Sequence, residues 1–137
     1  LKNKKFVSRR IIAGFIDYSI ILGLTYLYIY KFGSLNDEGE YSVNGFKTIP
    51  IIIFWFIYLC VIEVTVNSTL GNFIVRLTPV DLQTENKITL KQSFLRHIVD
   101  LLDMFFFGLV AIIIIKNSND SQRLGDLLAK TKVIEAD

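Results

Sequence analysis

Four carboxylates, Asp17, Glu63, Asp100 and Asp103, interrupt stretches of sequence that are otherwise almost wholly apolar. Arg10, Arg96 and His97 stand close by. A carboxylate left unpaired inside a bilayer is costly, so each must be paired, protonated or reached by water. Two kinds of chemistry are open to such a set. Asp17 together with one of Asp100 and Asp103 can bind and release a cation or proton along a pathway. Alternatively, Arg10, Arg96 and Asp17 form an internal salt-bridge cluster that only locks helices together. Arg10 and Asp17 are seven residues apart, two turns of an α-helix and nearly the same face.

Other chemistry finds little support. One Cys excludes an intramolecular disulfide framework and a Cys-based zinc site. His97 is the only histidine, so no second one completes a histidine metal site. There is no Gly-rich phosphate loop, and no spacing pairs a Ser nucleophile with His97. His97 is read as a surface or paired residue and Cys60 as a packing residue. The expectation is a non-enzymatic protein with no cofactor and no metal. The net charge of +2 is too slight to argue for nucleic acid.

The elements that must position these groups follow from where the apolar residues fall. Of the 137 residues 52% are hydrophobic, an average that decides little. Residues 11–30 form a 20-residue run whose only charge is Asp17, and 49–66 an 18-residue run whose only charge is Glu63. At 1.5 Å per residue the first spans about 30 Å, the thickness of a bilayer's hydrocarbon core. Both read as transmembrane helices. The first is too long for the apolar region of a signal peptide, and no small-residue cleavage site follows it. The chain starts at Leu1 rather than Met, which leaves room for residues ahead of it. Tyr26, Tyr28 and Tyr30 close the first helix at the interface, whereas Trp55 and Tyr58 fall mid-span and read as packing residues. Gly14, Ser19 and Gly23 offer small positions for close helix contact.

A third apolar stretch, 98–115, carries Asp100 and Asp103 in its first third, and its charge-free part from Met104 is only 12 residues long. That length fits a re-entrant segment better than a span. Charge counting agrees. Lys2, Lys4, Lys5, Arg9 and Arg10 precede the first helix, and Arg76, Lys87, Lys91 and Arg96 lie in 67–97. The positive-inside rule places both regions in the cytoplasm and the acidic 31–48 loop outside. The basic tail, with Lys116, Arg123, Lys130 and Lys132, also belongs in the cytoplasm, which a third full span would forbid. The N-terminal cations should also touch anionic headgroups.

Between the apolar runs, 73–82 is β-rich, with Pro79 limiting it to an edge or irregular strand. Residues 84–87 read as a turn. Thr89 and Gln92 fit a capping box that opens an amphipathic helix lying in the interface plane or entering the membrane obliquely. A short helix over 122–129 and a strand over 131–135 close the chain. Pairing of 74–80 with 131–135 would put both ends of the third segment on one side of the membrane.

In this order and spacing, Arg10-Ile-Ile-Ala13-Gly-Phe-Ile-Asp17, Thr69-Leu-Gly71 with Val80-Asp81 and Leu95-Arg96, and Gln122-Arg-Leu-Gly-Asp126-Leu-Leu-Ala129-Lys-Thr131-Lys-Val133-Ile134 resemble the RDD family of small bacterial membrane proteins. The resemblance covers almost the whole chain. It maps the family's Arg to Arg10, its first Asp to Asp17, and its second to Asp126, with Asp103 as the other candidate. Asn72, Arg76 and Pro79 depart from the pattern. The resemblance implies a membrane protein for which transport and participation in larger membrane assemblies have both been suggested.

The expected architecture is a mainly α membrane protein, one domain over 1–137. It has two transmembrane helices, a third re-entrant or spanning segment and a small cytoplasmic β element. The expected role is a structural or accessory subunit of a complex in the bacterial inner membrane, its N-terminus cytoplasmic. Its partner would be another membrane protein or a second copy. The alternative is a cation- or proton-coupled transporter.

Overall fold

The computed structural model describes residues 6–100, 109–118 and 122–136. Helix α1 (Val7–Phe32) runs unbroken for 26 residues, about 39 Å at 1.5 Å per residue. Gly33 stops it. The Gly33 N–H bonds the Ile29 carbonyl at 2.7 Å, and a Cβ at Gly33 would lie 2.3 Å from that oxygen. The chain then turns into a two-stranded antiparallel hairpin, β1 (Ser34–Leu35) and β2 (Tyr41–Ser42). Its tip is held by the Asn36 side chain, which accepts the N–H groups of Glu38 and Glu40. Nothing in the 31–48 sequence had pointed to this hairpin.

The second apolar run begins with a 3₁₀ turn (Gly45–Thr48) and continues as α2 (Ile49–Phe56), with Pro50 in the first turn. There the missing Pro N–H leaves no bond unmade. A π turn (Ile57–Val61) then widens the helix before α3 (Ile62–Val66). Tyr58 and Glu63 are five residues apart. In a regular α-helix they would point about 140° from each other. The π turn brings both to the interior, leaving Tyr58 9% and Glu63 0% exposed. By length and composition Val7–Phe32 and Gly45–Val66 are long and apolar enough to cross a membrane. Most of their large apolar side chains face outward, among them Phe15, Leu22, Leu27, Ile52 and Ile57. Exposure on that scale is unusual in a soluble monomer.

After a left-handed turn at Asn67 comes α4 (Leu70–Ile74), then β3 (Leu77–Asp81), α5 (Leu90–Ile98), α6 (Leu109–Asn117), α7 (Leu124–Ala129) and β4 (Thr131–Glu135). The expected strand over 74–80 is corrected at its start. Thr69 caps a helix there, its hydroxyl accepting the Asn72 N–H. Arg76, at φ 55°, breaks the chain before extended backbone resumes at Leu77. The strand that does form pairs antiparallel with β4, from Leu77 opposite Glu135 to Asp81 opposite Thr131. Thr89 and Gln92 form the capping box of α5. The closing helix starts at Leu124 rather than at residue 122. Of the third apolar stretch, 101–108 lie outside the described residues, and Asp103 with them.

The close approaches between elements are made by glycines other than those expected. A Cβ at Gly71 would sit 2.1 Å from the Ala13 carbonyl oxygen, and one at Gly125 2.3 Å from that of Arg96. Gly14 and Gly23, expected to offer small positions for close helix contact, have nothing within 4 Å of such a Cβ among the described residues. Gly71→Ala and Gly125→Ala are therefore expected to lower the thermal unfolding midpoint in detergent, each costing about 1–3 kcal/mol through forced backbone shifts. Gly14→Ala and Gly23→Ala should leave it unchanged or raise it by about 0.5–1 kcal/mol, the helix preference of Ala over Gly.

Candidate functional site

The N-terminal half of α1, the end of the second apolar helix, α4, α5 and α7 converge on one set of buried ionisable side chains. Asp126 is fully buried. Its Oδ1 accepts from Arg96 Nε at 2.8 Å and from the Thr131 hydroxyl at 3.4 Å. Its Oδ2 accepts the guanidinium of Arg10 and, at 3.1 Å, the backbone N–H of Arg123. The same carboxylate thus caps α7 and joins it to α1 and α5. Arg96 reaches onward to Glu63 Oε1 at 2.7 Å. Glu63 Oε2 takes the Ser93 hydroxyl at 2.5 Å and lies 3.1 Å from His97 Nε2. The other imidazole nitrogen, Nδ1, lies 2.8 Å from Asp100 Oδ2, which also accepts the Tyr18 hydroxyl at 2.9 Å. Asp100 Oδ1 receives Arg123 Nη1 at 2.8 Å. Arg123 Nε, buried without a hydrogen bond, lies 3.9 Å from Asp126 Oδ2.

These contacts close a ring in which charge alternates: Asp126, Arg96, Glu63, His97, Asp100, Arg123. With carboxylates facing both ring nitrogens, His97 is held as imidazolium, and the ring is then neutral. Burial works against that charge, but Glu63 and Asp100 hold the His97 pKa above its ordinary value of 6.5. Arg96 is likewise opposed by burial and held up by Glu63 and Asp126. For Asp126 burial would raise the pKa; Arg10, Arg96 and Arg123 together drive it far below the carboxylate range.

Asp17 stands apart from the ring, and its partners are neutral. Its Oδ2 accepts the Thr69 hydroxyl at 2.6 Å, and its Oδ1 the Gly71 N–H at 2.8 Å and the Tyr58 hydroxyl at 3.1 Å. It ties α1 to the π turn and to the start of α4. Between Asp17 and the ring lies a small, partly open cavity of about 40 Å³, lined by Asp17, Tyr18, Asn72, His97, Asp100 and Arg123 among others.

Of the residues singled out in the sequence, Arg10, Asp17, Glu63, Arg96, Asp100 and Asp126 come together here. His97, expected at the surface or paired, is buried and paired with Glu63 and Asp100. Tyr58, read as a packing residue, supplies a hydroxyl to Asp17. Arg123, counted only as a basic residue of the tail, is a member of the ring. Its spacing of three from Asp126, with an acid in the first turn of a short helix, is the signal that marks it. Ser93 and Tyr18 carry no signal in the sequence, and Thr69 and Gly71 stand out there only as part of a motif. The Thr69-Leu-Gly71 spacing is explained by the geometry, since Thr69 caps α4 and bonds Asp17 while Gly71 admits the backbone of α1.

The family model of the RDD family matches residues 5–130. The chain belongs to the RDD family. No match was found among curated proteins or among solved structures. With its two apolar helices, membership marks the chain as a membrane protein. In this RDD protein Arg10 pairs with Asp126.

Arg96→Met takes one buried cation from both Glu63 and Asp126, leaving the first to His97 and the second to Arg10 and Arg123. It is expected to cost about 3–5 kcal/mol, read as a fall in the unfolding midpoint, and far more than the exposed Arg76→Met. Stability should also fall on both sides of neutrality. The Asp126 contribution is complete above its ordinary value of 3.8 and is lost as acid protonates it below that value. The His97 contribution is complete below 6.5 and is lost as pH rises through its elevated pKa. His97→Gln should therefore flatten the alkaline limb of a midpoint-against-pH curve and leave the acidic limb in place.

Proposed function

We propose that this RDD protein is a non-enzymatic membrane subunit whose buried ring makes a rigid helical module, and whose lipid-length apolar faces serve assembly with another membrane protein or a second copy. The supporting observation is that the ring carboxylates are spent on one another's counter-ions. Glu63, Asp100 and Asp126 each contact at least one arginine or His97, an arrangement that immobilises helices rather than presenting a group to a substrate.

The orientation we assign has the N-terminus in the cytoplasm of a bacterial inner membrane, anionic headgroups beside the N-terminal cations, and the β1–β2 hairpin outside. The third segment is assigned as re-entrant. The sheet of β3 and β4 and the contact of Gly125 with Arg96 hold its two flanks together.

The cavity favours a second reading, a cation or proton pathway through Asp17 and Asp100. Both line it, and it opens to the exterior. Reconstituted vesicles loaded with a pH dye separate the two. The subunit reading expects no Na⁺- or K⁺-driven pH change above protein-free vesicles, for the wild type and for Asp17→Asn alike. Flux in the wild type that Asp17→Asn abolishes while remaining folded overturns it.

A further inference from the structure

The short helix α4 has an unusual position for a segment of five residues. Its Gly71 N–H bonds Asp17, and Gly71 abuts the Ala13 carbonyl. Ala13 and Asp17 are the seventh and eleventh residues of α1. With a 39 Å helix centred on a hydrocarbon core of about 30 Å, they lie roughly 5 and 10 Å beneath the boundary. A segment docked there is inside the leaflet, where unsatisfied backbone groups are excluded. The protein satisfies them. Thr69 accepts the Asn72 N–H, Asp17 takes the Gly71 N–H, and Arg9 donates to the carbonyls of Val75 and Arg76.

The opposite side of α4 is apolar. Leu70, Phe73 and Ile74, at i, i+3 and i+4, share one face and are 45%, 68% and 55% exposed. At the same level of α1, Ile11 and Ile12 also face outward. Above them, near the N-terminal end of α1 and so at headgroup height, Arg9 donates to the Arg76 carbonyl.

We propose that this stripe is a lipid-docking surface, seated on phospholipid acyl chains just beneath the headgroups of the leaflet that holds the N-terminal end of α1. A stable interfacial helix buries its apolar face about 5–10 Å below the headgroups, the depth at which Asp17 and Ala13 hold α4. The proposal rests on α1 crossing the membrane and not on the choice between subunit and carrier.

Trp55 is the only tryptophan and supplies the internal control. The full chain is reconstituted in phosphatidylcholine–phosphatidylglycerol vesicles whose acyl chains are brominated either close to the headgroup or near their ends. Quenching of Trp55 in the wild type shows that the second helix is inserted, whatever α4 does. In Trp55→Phe/Phe73→Trp the emission should be blue-shifted and insensitive to aqueous iodide. It should lose most of its intensity to bromine close to the headgroup and less to deep bromine. Quenching by iodide instead places α4 in water and overturns the proposal. Resistance to iodide and to both bromolipids means that protein covers the stripe, a second copy if dilution into excess lipid restores the quenching, and overturns it too. The unmodified chain gives an independent reading that needs no folded variant. A carbene generated on the lipid acyl chain should label the peptide containing 70–74, and its absence there alongside labelling of α1 counts against the proposal.

Discussion

Asp126 and Arg96 set the terms for the rest of the molecule. Each is buried almost completely, and a charge taken out of water without a partner would cost more than most of the packing around it returns. Neither can be neutralised by its own element. Asp126 draws on α1, α5 and the cap of its own helix, and Arg96 must reach from α5 to Glu63 and Asp126. The need to place these partners within hydrogen-bonding distance fixes how four separated pieces of chain sit against one another. In a protein whose long helices turn most of their apolar surface outward, little hydrophobic core is left to do so. Among the described residues an apolar core cluster gathers around Ile21, Tyr58, Leu59 and Cys60 between the two long helices, and Trp55 and Phe56 extend it to Phe94 of α5.

Backbone features that look unrelated serve this one requirement. The π turn swings Glu63 inward to meet Arg96, and the same turn aims Tyr58 at Asp17. Gly125 lets α7 lie against the Arg96 carbonyl, so that the acid in its first turn reaches the guanidinium. Gly71 does the same between α4 and α1. Around the ring, Gln92 ties α5 to Asp81 and to the Ala129 carbonyl, and Gln122 bonds the Thr131 carbonyl. The Asp81 carboxyl, held by the Thr84 N–H, the Gln92 amide and the Thr84 hydroxyl, lies low, at about 2. It stays an acceptor through the neutral range and keeps the sheet docked on α5.

What was legible in the sequence was what depends on short-range chemistry or on long uniform stretches. The two apolar helices follow from length and charge, the α5 cap from Thr89 and Gln92, and the β3–β4 pairing from two β-prone runs. The start of the strand was misread because Phe73 and Ile74 favour strand, whereas a Thr cap and a glycine against α1 decide the backbone there. The π turn left no local mark, since a single shift in helical phase is imposed by partners some thirty residues away. For the ring, depth along the helices placed Arg10, Arg96 and the carboxylates in the same half of the bilayer. It could not order them into pairs. Arg123 was obscured because a cation in a basic tail reads as a topology signal before it reads as a counter-ion.

Charge alternation around the ring bears on function through balance. Arg96 and Arg123 with a protonated His97 cancel Glu63, Asp100 and Asp126. The imidazole is therefore the one member whose charge can change near neutral pH. Its loss would leave a net negative charge beside the cavity, with Glu63 and Asp100 both facing a ring that can offer only one N–H. A module built to be rigid gains from having that proton held tightly, and two carboxylates on two ring nitrogens hold it more tightly than one would. A carrier would need the opposite, a proton site matched to the pH on either side and free to open. The doubly clamped imidazolium, in contact with both Glu63 and Asp100, belongs with the first design.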